Sequence, residues 1–245
     1  VVAKMLVDAG YDMLNCDNGT YDAWYWPHPP TYMPKACNLE DVKEIKKVVD
    51  VPVVCAGKFY DPDIAEEAIA NGDIDIMGMG RPLLADPYIP KKIMEGRLDD
   101  IRPCIGCHQA CLSRIFQQKD ICCAVNPAVG REKAYALKPS ERKKKIAVVG
   151  GGLAGMEAAR VSAIRGHEVE LYEKTGELGG VFIAAAAFDF KEEDRRLLNW
   201  YKKQLADLKV NVKLNTEFTD ADKDGYDEIF VATGATENKL DAPGL

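Results

Sequence analysis

The chain has 245 residues, 47% of them hydrophobic and 29% charged, enough for one large or two ordinary domains and unlike the composition of a disordered chain. Its net charge of −7 and pI of about 5.2 speak against a nucleic-acid partner, and the basic run Arg142–Lys145 reads as a solvated linker. No apolar run approaches the roughly 18 to 20 residues that cross a bilayer, and no secretory signal opens the sequence; the expectation is a cytoplasmic protein with no membrane partner.

The sequence opens at Val1 inside a helical pattern, with Val2, Met5, Leu6 and Ala9 before Gly10. This start without methionine, and the stop at Leu245 just after a strand end, lead to the expectation of a piece of a longer protein, aggregating or inactive by itself. Strands and helices then alternate. Tyr11 to Cys16 reads as a strand, Leu39 to Val49 as a helix and Val51 to Ala56 as a Val-rich strand. Pro62 to Ala70 follows as a helix, Ile74 to Met79 as a strand and Asp86 to Met94 as a helix. Strands apolar on both faces, separated by helices, imply a covered parallel sheet: an open doubly wound sheet or part of a (β/α)8 barrel.

The loops after the second and third strands carry chemistry. Gly57-Lys58 and Gly78-Met79-Gly80-Arg81-Pro82 combine small residues, which let backbone N–H groups approach an anion, with a guanidinium that can grip phosphate oxygens in pairs. In barrels a phosphate site is commonly built by the loops after the last two strands. The ordered run Val51-Pro-Val-Val-Cys-Ala-Gly-Lys, Ala65-Glu-Glu-Ala68, Gly72-Asp-Ile-Asp75 and Gly80-Arg-Pro-Leu-Leu-Ala-Asp-Pro87 resembles the end of the FMN barrel of old yellow enzyme-type oxidoreductases. That resemblance makes the three strands the last of the barrel. It implies that Gly57 and Lys58, through backbone amides, and Gly80 and Arg81 hold the FMN phosphate.

Five of the eight cysteines fall between positions 104 and 123. Without a secretory signal, metal or cluster ligation is a better reading than disulfides, whereas Cys16, Cys37 and Cys55 read as buried or idle thiols. Cys104, Cys107, Cys111 and Cys123 are separated by two, three and eleven residues. Four such thiolates suit a 4Fe–4S cluster or one tetrahedral zinc, and a tight three-thiol loop favours the cluster. In the 2,4-dienoyl-CoA reductase and enoate reductase subgroup, a Cys-x-x-Cys-x-x-x-Cys segment follows the barrel, then Cys-x-Val-Asn-Pro. By that resemblance Cys123, not its neighbour Cys122, is the fourth ligand, and His108 hydrogen-bonds or faces solvent.

Beyond the polar stretch Lys133 to Lys144, Lys145 to Val149 reads as a strand, Gly150-Gly-Gly152-Leu-Ala-Gly155 as a turn, Met156 to Arg165 as a helix and Val169 to Tyr172 as a second strand ending at Glu173. Strand, glycines, helix, strand and acid in this order form a dinucleotide-binding unit. Gly150 makes the turn, Gly152 admits the pyrophosphate, Gly155 lets the helix pack and Glu173 meets the ribose. Glu177-Leu-Gly179-Gly180 and Tyr226-Asp-Glu-Ile-Phe-Val-Ala-Thr-Gly234-Ala resemble the flavoprotein disulfide-reductase type of domain, which implies FAD and adds Gly180 to its site.

The expected organisation is α/β: the C-terminal part of a TIM barrel over 1–97, an iron–sulfur segment over 98–130, a linker over 131–144 and an incomplete Rossmann-like FAD domain over 145–245. The resemblance implies a reductase of activated carbon–carbon double bonds in an unsaturated acid, thioester or ketone, electrons passing from NAD(P)H through FAD, the 4Fe–4S cluster and FMN. It leaves a homo-oligomer open. Dienoyl-CoA reductases carry a His-Glu-Ala-Arg-type donor segment, absent from the matching Gly19–Thr31 region, where His28 and Tyr25 are the candidate proton donors. Two rivals differ in class: a trimethylamine dehydrogenase-like amine oxidoreductase and a zinc-binding scaffold without catalysis.

Overall fold

The computed structural model describes residues 1–235; the last ten residues of the expected second domain lie outside them. Two compact units are present, Val1–Ala136 with Phe188–Leu197, and Leu137–Ala187 with Leu198–Leu245. The division does not follow chain order, because residues 188–197 leave the nucleotide-type sequence to join the first unit.

In the first unit a helix α1 (Val2–Asp8) leads to β1 (Leu14–Cys16), α2 (Leu39–Lys46), β2 (Val53–Cys55), α3 (Pro62–Ala70) and β3 (Ile76–Met77). The strands are parallel and ordered β1-β2-β3, with Cys16 opposite Cys55 and Cys55 opposite Met77. Leu14, Val42, Val49, Val53, Cys55, Phe59, Ala65, Ala68 and Ile74 form the core beneath them. Helix α3 starts where Asp61 accepts a hydrogen bond from the Asp63 N–H at 3.3 Å and Pro62 supplies a first-turn φ. The strands are shorter than expected, and between the start of β2 and the residue before β3 the Asp75 carboxylate takes the Val53 N–H at 2.7 Å and the Lys46 ammonium at 2.8 Å.

A short helix α4 (Arg81–Ala85) precedes the helix expected over Asp86–Met94, which forms only over Ile89–Met94 as α5. Asp86 breaks them apart. Its buried carboxylate accepts from Tyr88 N–H at 3.0 Å, Lys92 Nζ at 2.5 Å and Arg102 N–H at 2.9 Å, tying both pieces to the start of the cysteine segment. A short helix α6 (Leu112–Phe116) follows the third clustered cysteine.

The second unit holds β4 (Lys145–Val149), α7 (Leu153–Ile164), β5 (Glu168–Tyr172), α8 (Phe182–Ala185), α9 (Glu192–Asp207) from Leu198 onward, β6 (Asn211–Lys213) and β7 (Glu228–Val231), with a parallel sheet in the order β6-β5-β4-β7. The first strand of the unit is therefore central, with later strands added on both sides, the dinucleotide-binding order. Ile146, Ala147, Val148, Val169 and Leu171 of the sheet and Met156 and Ala159 of α7 are buried. Among the described residues no helix is long and apolar enough to cross a membrane.

Candidate functional site

Because β1, β2 and β3 run parallel, the loops leaving their carboxyl ends share one rim of the sheet, the edge at which α/β folds place ligands. There Ala56, Gly57, Lys58, Gly78, Gly80, Arg81 and His28 line a cavity of about 380 Å³, within the size range of small-ligand sites. All four residues expected at a flavin phosphate are thus brought together. Gly57 and Lys58 both have positive φ, +121° and +56°, so the chain turns sharply at the strand end. Gly57 is packed by Asn38, whose Nδ2 donates to Ala56 O at 3.0 Å. A Cβ on Gly80 would meet nothing within 4 Å, which leaves room beside its backbone.

The two cations of this rim are differently used. Lys58 is buried, and its Nζ donates to Thr31 O at 2.6 Å and to Met33 O, while burial pushes its pKa down. Arg81 Nη1 donates to Pro29 O at 2.8 Å and meets His108 Nε2. Both cations therefore anchor the proline-rich loop over the rim. His28 stacks on Trp24 with ring centroids 5.3 Å apart, and burial, then the Arg81 charge, lowers its pKa. Tyr25 is exposed, stands beside Trp26 and is not part of the cavity wall.

Cys104, Cys107, Cys111 and Cys123 line a second, smaller cavity together with Arg81 and His108; Cys122 is not in its wall. Tyr60 Oη lies 3.6 Å from Cys104 Sγ. The return segment is fixed by Arg102 Nη1 donating to Val125 O at 2.8 Å and by buried Asn126 donating to Leu84 O at 2.9 Å, which places Cys123 opposite the loop. Burial pushes the Cys104 and Cys123 thiols up, and burial with the Arg81 charge brings His108 to about 4. Cys111 and Arg81 belong to the walls of both cavities. All eight cysteines are free thiols. Among the described residues, no three His, Cys, Asp or Glu side chains converge on a point as around one ion.

In the second unit the turn after β4 carries Gly150 at φ +108°, where a Cβ would stand 2.8 Å from the Ala232 carbonyl carbon. Gly155 packs against the Gly150 carbonyl, whereas Gly152, which caps α7, faces open space. The Gly179-Gly180 segment folds onto this turn: Gly179 N–H donates to Gly151 O at 2.9 Å, and Gly152 and Gly179 form a parallel bridge. Glu173 is buried at the end of β5, with Oε2 accepting from Gly151 N–H at 2.7 Å and Oε1 from the Thr175 N–H and hydroxyl at 2.8 Å. Burial alone would raise its pKa, but the Thr175 and Gly151 hydrogen bonds outweigh it and hold the carboxylate ionised. Glu173 thus braces the glycine turn, a role the spacing argument did not anticipate. The Ala232–Gly234 stretch runs alongside, Ala232 N–H donating to Val149 O at 2.8 Å.

Residues 1–100 match the NADH:flavin oxidoreductase / NADH oxidase family, and residues 144–245 the pyridine nucleotide-disulphide oxidoreductase family. The chain is 50% identical over 244 residues to a cinnamate reductase from Clostridium sporogenes, covering 99% of this chain and 37% of that protein. A solved 2-naphthoyl-CoA reductase in complex with 2-naphthoyl-CoA superposes with a TM-score of 0.92 at 35% identity, over 98% of this chain and 37% of the other. A histamine dehydrogenase from Rhizobium sp. 4-9 does so with a TM-score of 0.87 at 29% identity, over 97% and 36%. The chain thus spans little more than a third of the length of these proteins. An α/β fold combining part of a TIM barrel with a Rossmann-like unit follows from these likenesses.

Proposed function

We propose that this chain, whose residues 1–100 belong to the NADH:flavin oxidoreductase / NADH oxidase family and whose residues 144–245 belong to the pyridine nucleotide-disulphide oxidoreductase family, carries the flavin, cluster and nucleotide sites of an NAD(P)H-dependent reductase of activated carbon–carbon double bonds. The substrate class is an unsaturated acid, thioester or ketone, in keeping with relatives named for cinnamate and 2-naphthoyl-CoA. The observation that carries the reading is the pair of adjoining cavities: one lined by Gly57, Lys58, Gly80 and Arg81, the other by four thiols.

The residues present fit the implied groups. Gly57 and Lys58 offer backbone N–H groups and Arg81 a guanidinium to the FMN phosphate. Cys104, Cys107, Cys111 and Cys123 offer one thiolate per iron around a common space, an arrangement that asks for no convergence on a single point. Gly152 leaves the N-terminus of α7 open for the FAD pyrophosphate, Gly150 and Gly155 let the turn and the helix pack closely, Gly180 lies against Gly152, and Glu173 holds that turn in shape. When bound, flavin would supply hydride chemistry and a cluster single-electron transfer. Of the two candidate proton donors His28 lies in the cavity wall, and Tyr25 would need to turn inward to share the role. Wild-type rates in both His28→Phe and Tyr25→Phe proteins would remove both. Free thiols throughout suit a reducing, cytoplasmic setting.

An anaerobic inventory of the full-length protein tests the assignment, with about one FMN, one FAD and four irons per chain expected, alongside NAD(P)H-linked reduction of a cinnamate-type acid or thioester. Absence of FMN, or stoichiometric zinc without iron, would overturn it. The likeness to histamine dehydrogenase keeps an amine-oxidising reading as the second one; bleaching of the flavin by amines and not by NAD(P)H would favour that.

A further inference from the structure

Arg81 stands on the wall of both cavities and is gripped from the cysteine side. Its Nη1 donates to Pro29 O and meets His108 Nε2. A guanidinium has donors only, so the imidazole nitrogen facing it must accept, which puts the ring proton on Nδ1. His108 itself is held firmly. Its φ of +59° is one that a non-glycine residue takes only where its surroundings enforce it. Its carbonyl accepts from Ser113 N–H at 2.9 Å, in the first turn of α6, and Gly106 two residues earlier packs on the Thr31 backbone. The strained residue therefore delivers one acceptor to one nitrogen of Arg81.

We propose that His108 is a positioning residue for the flavin phosphate: by accepting from Arg81 it orients the guanidinium so that the remaining donors face the Gly57–Gly80 rim. The inference rests on reading that cavity as the FMN site. Arginine has a long, freely rotating stem and a planar head, and it binds an anion in pairs of hydrogen bonds only when the plane is fixed. With Pro29 O alone, the head could still swing about that one contact; the second contact fixes its plane. The cysteine segment, through His108, then sets how tightly the neighbouring site holds phosphate.

The test is made on the full-length holoprotein, reading FMN dissociation by fluorescence together with iron and sulfide content. His108→Ala is expected to weaken FMN binding about tenfold, the worth of one hydrogen bond to a charged group, with four irons retained. His108→Gln, which keeps an acceptor near the Nε2 position, should restore it to within about threefold. In an Arg81→Ala background the further change His108→Ala should cost nothing, because the effect passes through Arg81. Unchanged FMN affinity in His108→Ala, or an additive loss in the double variant, would overturn the proposal. Should the alanine protein also shed iron, the glutamine variant decides: FMN retained supports the role, FMN lost refutes it. A wild-type protein that binds no FMN would instead refute the cavity assignment itself.

Discussion

Two glycines in the turn after β4 separate packing from ligand binding. Gly155 lies in the first turn of α7, where a Cβ would overlap the Gly150 carbonyl oxygen and stand 3.0 Å from its carbonyl carbon and 3.4 Å from Val148 Cγ1. Backbone on one side and a buried strand on the other cannot rotate away, so Gly155→Ala must push the helix off β4. Overpacking of this kind costs about 1–3 kcal/mol, and the overlap with main chain places it near the upper figure. Gly152 differs in every respect. At φ −73° and ψ −179° it has a conformation open to any residue, and a Cβ there would meet nothing within 4 Å. Gly152→Ala should cost no more than about 1 kcal/mol, the capping preference of glycine over alanine. Its methyl, however, fills the space over the helix N-terminus where a pyrophosphate would lie, and FAD affinity should fall by about 2 kcal/mol or roughly thirtyfold. Urea denaturation of the FAD-free protein and FAD titration measure the two effects separately. A Gly152→Ala protein with undiminished FAD affinity, or a Gly155→Ala protein with the wild-type urea midpoint, would refute the division.

Cys123→Ser should abolish most iron binding in anaerobically prepared protein while Cys122→Ser leaves it intact, because only Cys123 lines the cavity with the other three thiols; equal iron content in the two would contradict this. Lys58→Met removes the donors to the Thr31 and Met33 carbonyls, leaves both unpaired and should cost about 2–3 kcal/mol of stability, read from urea titration at neutral pH. Acid should weaken the second unit through Glu170, which Lys213 and Tyr226 hold down at about 2. Its folded pKa lies below the unfolded value, so the stabilisation is complete above about pH 4.5 and is lost as pH falls toward 2. Solvent screening leaves about 1–2 kcal/mol of it, and Glu170→Gln should remove that slope from an acid titration of stability.

The features legible in the sequence are those that local spacing controls. The β4 strand and helix α3 coincide with their expected ranges, since a run of apolar residues and an Asp-Pro start leave little choice of register. The four cysteines line one cavity, and Gly57, Lys58, Gly80 and Arg81 meet at one rim because parallel strands put successive loops on the same side. What spacing could not show was set by distant partners. The break between α4 and α5 depends on Asp86 receiving Arg102, sixteen residues on. Helix α9 was not anticipated, although Glu192, Glu193 and Asp194 in its first turn and Leu197, Leu198, Tyr201 and Leu205 at helical spacing signal it. That its first turn joins the first unit rests on Lys35 pairing with Glu192 at 2.9 Å and on Arg196 reaching Tyr60 O, pairs separated by well over a hundred residues. Tyr25 and His28 are near neighbours in sequence, yet of the two only His28, stacked on Trp24, lines the cavity.

The rim also explains why its two cations are a lysine and an arginine and not a matched pair. Lys58 has three donors on one nitrogen and gives two of them to carbonyls. In this geometry its ammonium is a strut beneath the proline loop, and the backbone amide is what the proposed phosphate site takes from this residue. Arg81 has five donors spread over a plane. It can satisfy Pro29 O and His108 from one nitrogen and still offer a two-pronged edge to phosphate. Lysine at 81, with its donors on a single nitrogen, would lack the planar edge that can meet the ligand while the loop is anchored. On the proposed reading the same cavity divides loop support and anion binding between a point charge and a fork, with His108 aligning the fork.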